Sequence, residues 1–150
     1  MNTKNELFTA KLQTTFGTKE VPTIEDNYME VLEGSKLDIV NETEDNVTTC
    51  SGFGQNAPIV GPMRADVQLD FALRSFGVGI VPDWMKVAQA SGFFLESNIA
   101  GYYKLTPTLV SEQFTKDMTV YHSRRGNTTN GILKKAYNCV FDWSISGEIN

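Results

Sequence analysis

The sequence predicts a single, mainly β domain over residues 1–150, built as an antiparallel β-sandwich or barrel with one short flanking helix at about 82–91. Two long segments, 64–74 and 132–145, alternate apolar and polar side chains, which is the pattern of a strand with one dry and one wet face. Between them, one segment changes to the 3.6-residue period of a helix. Shorter alternating segments complete a β-rich pattern, and a chain of this length can bury a core without disulfides.

The first long strand is predicted over residues 64–74. Its dry face carries apolar side chains at every second position: Ala65, Val67, Leu69, Phe71 and Leu73. Its wet face carries the polar side chains Arg64, Asp66, Gln68, Asp70 and Arg74, and only Ala72 interrupts that set. A glycine-containing break at 75–79 separates this strand from the helix.

The predicted helix begins near Pro82, because proline lacks a backbone N–H that the first helical turn does not need. Asp83 lies at the positive end of the helix dipole, and Gly92 suits a left-handed cap at the other end. A narrow, largely apolar stripe runs along one face: Trp84, Val87, Ala88 and Ser91. We therefore expect Trp84 to be the anchor that holds the helix against the sheet.

The second long strand is predicted over residues 132–145. One face is apolar apart from Lys135, and consists of Leu133, Tyr137, Cys139, Phe141, Trp143 and Ile145. The opposite face carries Lys134, Asn138, Asp142 and Ser144. Shorter strands are predicted at 7–15, 36–40, 47–50, 102–108 and 118–123. The pattern of residues 21–31 fits either an irregular strand or a loop.

Composition and charge exclude several classes of protein. A net charge of −5 argues against a protein that grips nucleic-acid phosphates, but it is compatible with a surface that nucleic acid passes without sticking. Cys50 and Cys139 are the two cysteines; we expect both to be reduced and Cys139 to be buried. The N-terminal segment lacks the apolar run of a signal peptide, and no stretch reaches the ~20 apolar residues of a membrane span. We therefore expect synthesis in the cytoplasm and no membrane partner.

The sequence predicts no catalytic, cofactor or metal site. His122 is the only histidine, which excludes metal sites built on several histidines, and it is expected to be structural or solvent-facing. Residues 52–57 match the fingerprint G-x-G-x-x-A, but the prolines and glycine that follow them prevent the helix that a dinucleotide site needs. Asp66 and Asp70 would lie ~13 Å apart along one strand, beyond the roughly 5–9.5 Å of paired glycosidase carboxylates.

Several short motifs resemble those of a known family. The strand at 65–74, followed by Pro82-Asp83-Trp84 and by Ser91-Gly92-Phe93, resembles the strand, the Pro-x-Trp helix and the small-Gly-Phe ending of major tail (tail tube) proteins of long-tailed bacteriophages. The segments 8–18, 102–107, 118–121 and 131–147 are similar to other strands of that family. In contrast to many members, this chain has Ala72 and Leu73 where glycines are common, and it ends at Asn150, just after the last long strand.

The resemblance implies a β-barrel or sandwich that assembles into hexameric rings, which stack into a hollow tube in the virion tail. The implied partners are copies of this chain, other phage tail proteins, and double-stranded DNA that passes without specific binding. The resemblance implies no active site and no cofactor. A shortened tail tube subunit, or a related tail-end or neck component, fits the same sequence.

The hollow tube that the resemblance implies has a central channel, and some polar side chains of this chain are expected to face it. If the two long strands lie in the sheet that faces this channel, their polar sides should point into it: Asp66, Gln68, Asp70, Asn138, Asp142 and Ser144. The main alternative is a small β-sandwich that binds a ligand such as carbohydrate, with Phe53, Tyr102 or Tyr121 as stacking platforms. A hydrolase that uses Asp or Glu side chains as catalytic acids is a third, weaker alternative.

Overall fold

The computed structural model describes residues 6–44, 59–74, 77–97, 102–107, 116–124 and 132–145. These residues form a mainly β, sandwich-like fold with antiparallel sheets and two short helices, which confirms the predicted fold class. The predicted strand at 47–50, together with Cys50 and Phe53, lies outside the described residues. In the described ranges, neither helix is long or apolar enough to cross a lipid bilayer.

The described residues contain eight strands and two helices. In order they are β1 (Glu6–Leu12), α1 (Ile24–Asn27), β2 (Tyr28–Met29), β3 (Lys36–Glu44), β4 (Ile59–Gln68), α2 (Asp83–Gln89), β5 (Phe93–Ser97), β6 (Tyr103–Pro107), β7 (Met118–Arg124) and β8 (Ile132–Cys139). A four-stranded sheet has the order β2-β1-β7-β8, whereas β3–β4 and β5–β6 are separate two-stranded hairpins. All of the strand pairs are antiparallel.

The core lies on one face of the four-stranded sheet. Direct cross-strand pairing places Ala10, Val120 and Ala136 side by side, and all three are buried. The other buried apolar members of this core are Phe8, Met29, Leu37, Val87, Ala90 and Met118. Leu37 comes from the β3–β4 hairpin, and Val87 from α2. The core therefore joins the sheet, one hairpin and the helix.

The predicted single apolar face of the second long strand is wrong, because β8 contains a β-bulge. Met118 pairs with Cys139 but Val120 pairs with Ala136, so two residues of β8 lie opposite one residue of β7. Asn138, one of these two, has a φ of 54°, a left-handed conformation that asparagine tolerates better than most residues. The extra residue reverses the alternation: Ala136 is buried before the bulge, whereas Leu133 is half-exposed.

Both long strands also end earlier than predicted. β4 begins at Ile59 and ends at Gln68, and residues 69–74 lie outside any ladder. Here the backbone N–H of Asp70 donates to Ser35 Oγ at 2.9 Å, and the backbone carbonyl of Asp70 accepts from the Leu32 N–H at 2.7 Å. The loop before β3 thus takes the hydrogen bonds that a neighbouring strand would have made. β8 likewise ends at Cys139, and residues 140–145 are not part of a ladder.

The helix predicted at 82–91 is confirmed with tighter bounds. α2 spans Asp83–Gln89, with Pro82 as its N-cap residue and Gly92 in a left-handed conformation just beyond its end. The Ala90 N–H donates to the Val87 carbonyl at 2.9 Å, so the last turn tightens before the chain leaves the helix. The segment that the sequence left open, 21–31, forms the single helical turn α1 and the short strand β2.

Candidate functional site

A groove lies between α2, residues 67–73 and residues 141–145. Its volume is about 560 Å³, within the roughly 300–1,000 Å³ typical of ligand sites. Its apolar lining is Leu32, Val67, Leu69, Phe71, Leu73, Trp84, Val87, Ala88, Phe141, Trp143 and Ile145. Its polar lining is Gln68, Asp70, Asp142 and Ser144. We call this surface the acidic groove, because it contains two carboxylates and neither lysine nor arginine.

Two tryptophans hold one wall of the acidic groove together. The rings of Trp84 and Trp143 stack with centroids 6.4 Å apart and an interplanar angle of 14°, and Phe93 meets Trp143 edge-on at 5.1 Å. The Phe141 N–H donates to the Ala90 carbonyl at 3.1 Å, which fixes residues 141–145 to the end of α2. Trp84 is half-buried, and its contact runs to this segment beyond the bulge rather than to the middle of the sheet.

The polar side of the groove is formed by side chains with few fixed partners. The Gln68 amide donates to Asp70 Oδ2 at 3.2 Å, while Asp142 and Ser144 are exposed. The backbone groups of residues 142–145 make no hydrogen bond to any other described residue. Because polar backbone groups in a folded protein are normally paired or hydrated, these backbone groups are available to a binding partner.

The structure brings four of the six predicted channel-facing residues together. Gln68, Asp70, Asp142 and Ser144 line the acidic groove. Asp66 lies instead on β4, 3.5 Å from Arg64 in an exposed ion pair, and Asn138 occupies the bulge, where its side-chain oxygen accepts from Gln13 at 3.3 Å. β4 and β8 belong to different sheets, so the six residues do not form one polar sheet face. Whether any of them faces a channel stays a prediction.

His122 is structural, one of the two roles expected from the sequence. It is 4% exposed and stacks on Phe8 with ring centroids 4.2 Å apart. Burial lowers the pKa of His122, and the Glu6 carboxylate, 3.7 Å from Nε2, opposes that shift only in part. Neither ring nitrogen has a hydrogen-bond partner among the described residues. The imidazole therefore behaves as a neutral core side chain.

Cys139 and Tyr121 are unsuited to chemistry or stacking. Burial, with a smaller effect from Asp117, raises the pKa of the Cys139 thiol to about 11, so it stays protonated and unreactive. Tyr121 is buried with its hydroxyl 3.1 Å from that of Tyr137, and burial raises its pKa to about 12. The expectation that Tyr121 could be a carbohydrate platform is therefore wrong, whereas Tyr102 is 74% exposed.

A second surface is an apolar stripe along the β3–β4 hairpin. Because Leu37 pairs with Val67, Ile39 with Ala65 and Asn41 with Met63, one face of the hairpin runs outward from the core. Leu37 is fully buried at its inner end, but Ile39 is 50% and Met63 is 73% exposed. We call Ile39, Met63 and Ala65 the overhanging stripe. Alternation in the sequence identifies this apolar face for β4, but it does not show that the face extends beyond the core.

The described residues contain no group of three or more His, Cys, Asp or Glu side chains that could hold a metal ion. The stripe is suited to binding through apolar contact, and the groove is suited to binding through apolar contact combined with negative charge. In comparisons with known proteins, no family model, no curated protein and no solved structure matched this chain.

Proposed function

We propose that this chain is a structural subunit that assembles with copies of itself into stacked rings, forming the DNA-conducting tail tube of a long-tailed bacteriophage. The overhanging stripe carries the self-assembly part of the proposal. It continues the apolar face of the core along the β3–β4 hairpin to Ile39, Met63 and Ala65, which are exposed. Contiguous exposed apolar surface of this kind marks an interaction site rather than ordinary surface variation.

Two further observations support assembly. Apolar side chains are also exposed on the other hairpins, where Phe94 is 56% and Ile132 is 61% accessible. Residues 142–145 lie outside any ladder, and their backbone groups make no hydrogen bond to other described residues. Subunits commonly bury exposed apolar side chains and unpaired backbone segments against one another.

The tail tube itself is favoured by the motif resemblance and by charge. The motifs around residues 65–93 are similar to those of the tail tube family. The net charge of −5 suits a channel that conducts DNA without retaining it, since like charges keep the duplex away from the wall. Asp66 is the carboxylate that we assign to this role, because Asp70 and Asp142 line the acidic groove instead.

Sedimentation velocity over a concentration series tests the self-assembly. The wild-type protein should form large species as concentration rises, and Met63→Asp should weaken association at least tenfold, because a charge replaces an apolar contact. Val78→Asp is the matched control, since Val78 is 87% exposed in a glycine-flanked turn away from the stripe. A wild-type protein that stays monomeric at every concentration would contradict the proposal.

A carbohydrate-binding module is the second candidate, and the acidic groove is the observation that favours it. The groove combines the Trp84–Trp143 pair with two carboxylates, and aromatic platforms with polar rims are the residue types that bind sugars. Titration calorimetry with a panel of soluble oligosaccharides distinguishes the two functions. Specific binding by a strictly monomeric protein would favour the module, whereas self-association without sugar binding supports the tube.

A further inference from the structure

The acidic groove is incomplete in a single copy of the chain. It combines a wall of aromatic and aliphatic side chains with Asp70 and Asp142, and its lining contains no cation to neutralise them. Its outer apolar residues are poorly covered, since Leu73 is 56% and Ile145 is 62% exposed. An occupant that matches this lining needs apolar side chains flanked by positive charge.

A surface with that chemistry lies at the end of the β7–β8 hairpin. Arg124 closes β7, and Ile132, Leu133 and Lys135 open β8. Ile132 is 61% and Leu133 is 50% exposed, and the exposed Lys135 ammonium lies over the Tyr121 ring at 5.2 Å. Arg124 pairs with the Glu6 carboxylate at 2.9 Å. We call these four residues the basic hairpin end.

Leu133 and Lys135 of one copy lie away from the aromatic wall of its own groove. At ~3.4 Å per residue they are roughly 20 and 14 Å from Cys139, where β8 ends before the groove segment 141–145 begins. Lys134 Nζ donates to the Leu37 carbonyl at 2.7 Å within the same copy, but Leu133 and Lys135 lie on the opposite face of β8 from Lys134 and point away from that contact. A second copy of the chain can bring the two surfaces together.

We propose that the basic hairpin end of one copy docks into the acidic groove of the next copy. Leu133 contacts the wall formed by Trp84 and Trp143, and Lys135, on the same face of β8, lies near Asp142. The two contacting surfaces differ, so the interface is heterologous and each subunit still offers one free groove or one free hairpin end, which propagates a ring or a filament. The inference rests on the proposed self-assembly and names the surfaces that carry it.

Charge reversal on either surface tests the docking. Asp142→Lys places a lysine in the groove opposite Lys135, and Lys135→Glu places a glutamate on the hairpin end opposite Asp142. Each variant should associate at least tenfold more weakly than wild type, because like charges face each other across the contact. Both positions are exposed, so thermal melts should match wild type. Glu25→Lys, an equal charge change on the exposed surface of α1, should not alter association.

Mixing gives the decisive readout. In an equimolar mixture, the new lysine in the groove of Asp142→Lys faces the new glutamate on the hairpin end of Lys135→Glu, and the remaining groove and hairpin end keep their natural charges. Alternating copies should therefore associate, although neither variant does so alone. The double variant, with both reversals in one chain, should also regain association. If Asp142→Lys fails to fold, Ser144→Lys places a positive charge on the same exposed side of the groove.

Three outcomes would overturn the inference while leaving the proposed function intact. In all three, the wild-type protein assembles. The first is that both single reversals assemble as well as wild type, and the second is that the mixture and the double variant stay dissociated. The third is that Glu25→Lys weakens association as much as Asp142→Lys does. A wild-type protein that never assembles contradicts the proposed function itself and removes the basis for the docking. Oligosaccharide binding that Asp142→Lys abolishes would assign the groove to a ligand instead.

Discussion

Replacing Trp84 with alanine should destabilise the fold by about 3 kcal/mol. A fully buried tryptophan removes roughly 150–250 Å² from water, and Trp84 is half-buried, so ~100 Å² at ~25 cal/mol/Å² gives about 2.5 kcal/mol. The stacking of Trp84 on Trp143, 6.4 Å between centroids, adds roughly 0.5–1.5 kcal/mol beyond area. The sum lies at the lower end of the ~3–5 kcal/mol typical of Trp→Ala changes in cores.

Urea unfolding monitored by far-UV circular dichroism measures this loss. Trp84→Phe keeps a ring against Trp143 and should cost clearly less than the alanine variant, whereas Phe94→Ala removes a ring that is 56% exposed and should cost roughly 1 kcal/mol or less. A loss below about 1 kcal/mol for Trp84→Ala, combined with weaker self-association, would refute the anchor role and place Trp84 in a subunit contact.

Three other predictions follow from the bulge, the buried histidine and the carboxylates. Asn138 has a left-handed φ of 54°, so Asn138→Val should destabilise by roughly 1–2 kcal/mol and Asn138→Gly by much less, measured by urea unfolding. Burial lowers the pKa of His122 from its ordinary value of 6.5, so the unfolded state takes up a proton first. The free energy of unfolding should therefore fall as pH drops below about 6.5, and His122→Phe should remove that part of the fall in melts between pH 7 and 5. Of the three carboxylates Asp66, Asp70 and Asp142, Asp66 lies outside the acidic groove, so Asp66→Lys leaves the docking surface intact. This change should make assembled tubes retain double-stranded DNA at low salt and release it as salt rises. Assembled tubes that gain no salt-sensitive DNA binding would remove Asp66 from the channel wall.

Side-chain alternation predicted the fold class because it reports directly which face of a strand is dry. It also predicted that Val67, Leu69 and Phe71 would pack together, and all three are packed against the core. Helical periodicity and the positions of Pro82 and Gly92 predicted α2 to within two residues at each end. These features are set by residues that are close in sequence, so they can be predicted from a single sequence.

Features that depend on distant residues could not be predicted in the same way. The bulge at Asn138 inverts the face of β8, and its cause lies in the pairing with β7 rather than in the residues of β8. The early end of β4 depends on hydrogen bonds that Leu32 and Ser35 make to Asp70. Four of the residues assigned to a channel still come together, because the polar positions of two separate segments converge on the acidic groove.

Negative-stain electron microscopy of the purified protein over a concentration series tests the central claim most directly. Self-assembly through the overhanging stripe and the acidic groove predicts rings, and at higher concentration stacked tubes with a stain-filled central channel wide enough for a DNA duplex. Particles of a single 150-residue chain at every concentration, with no rings or tubes, would contradict the claim that this chain is a tail tube subunit.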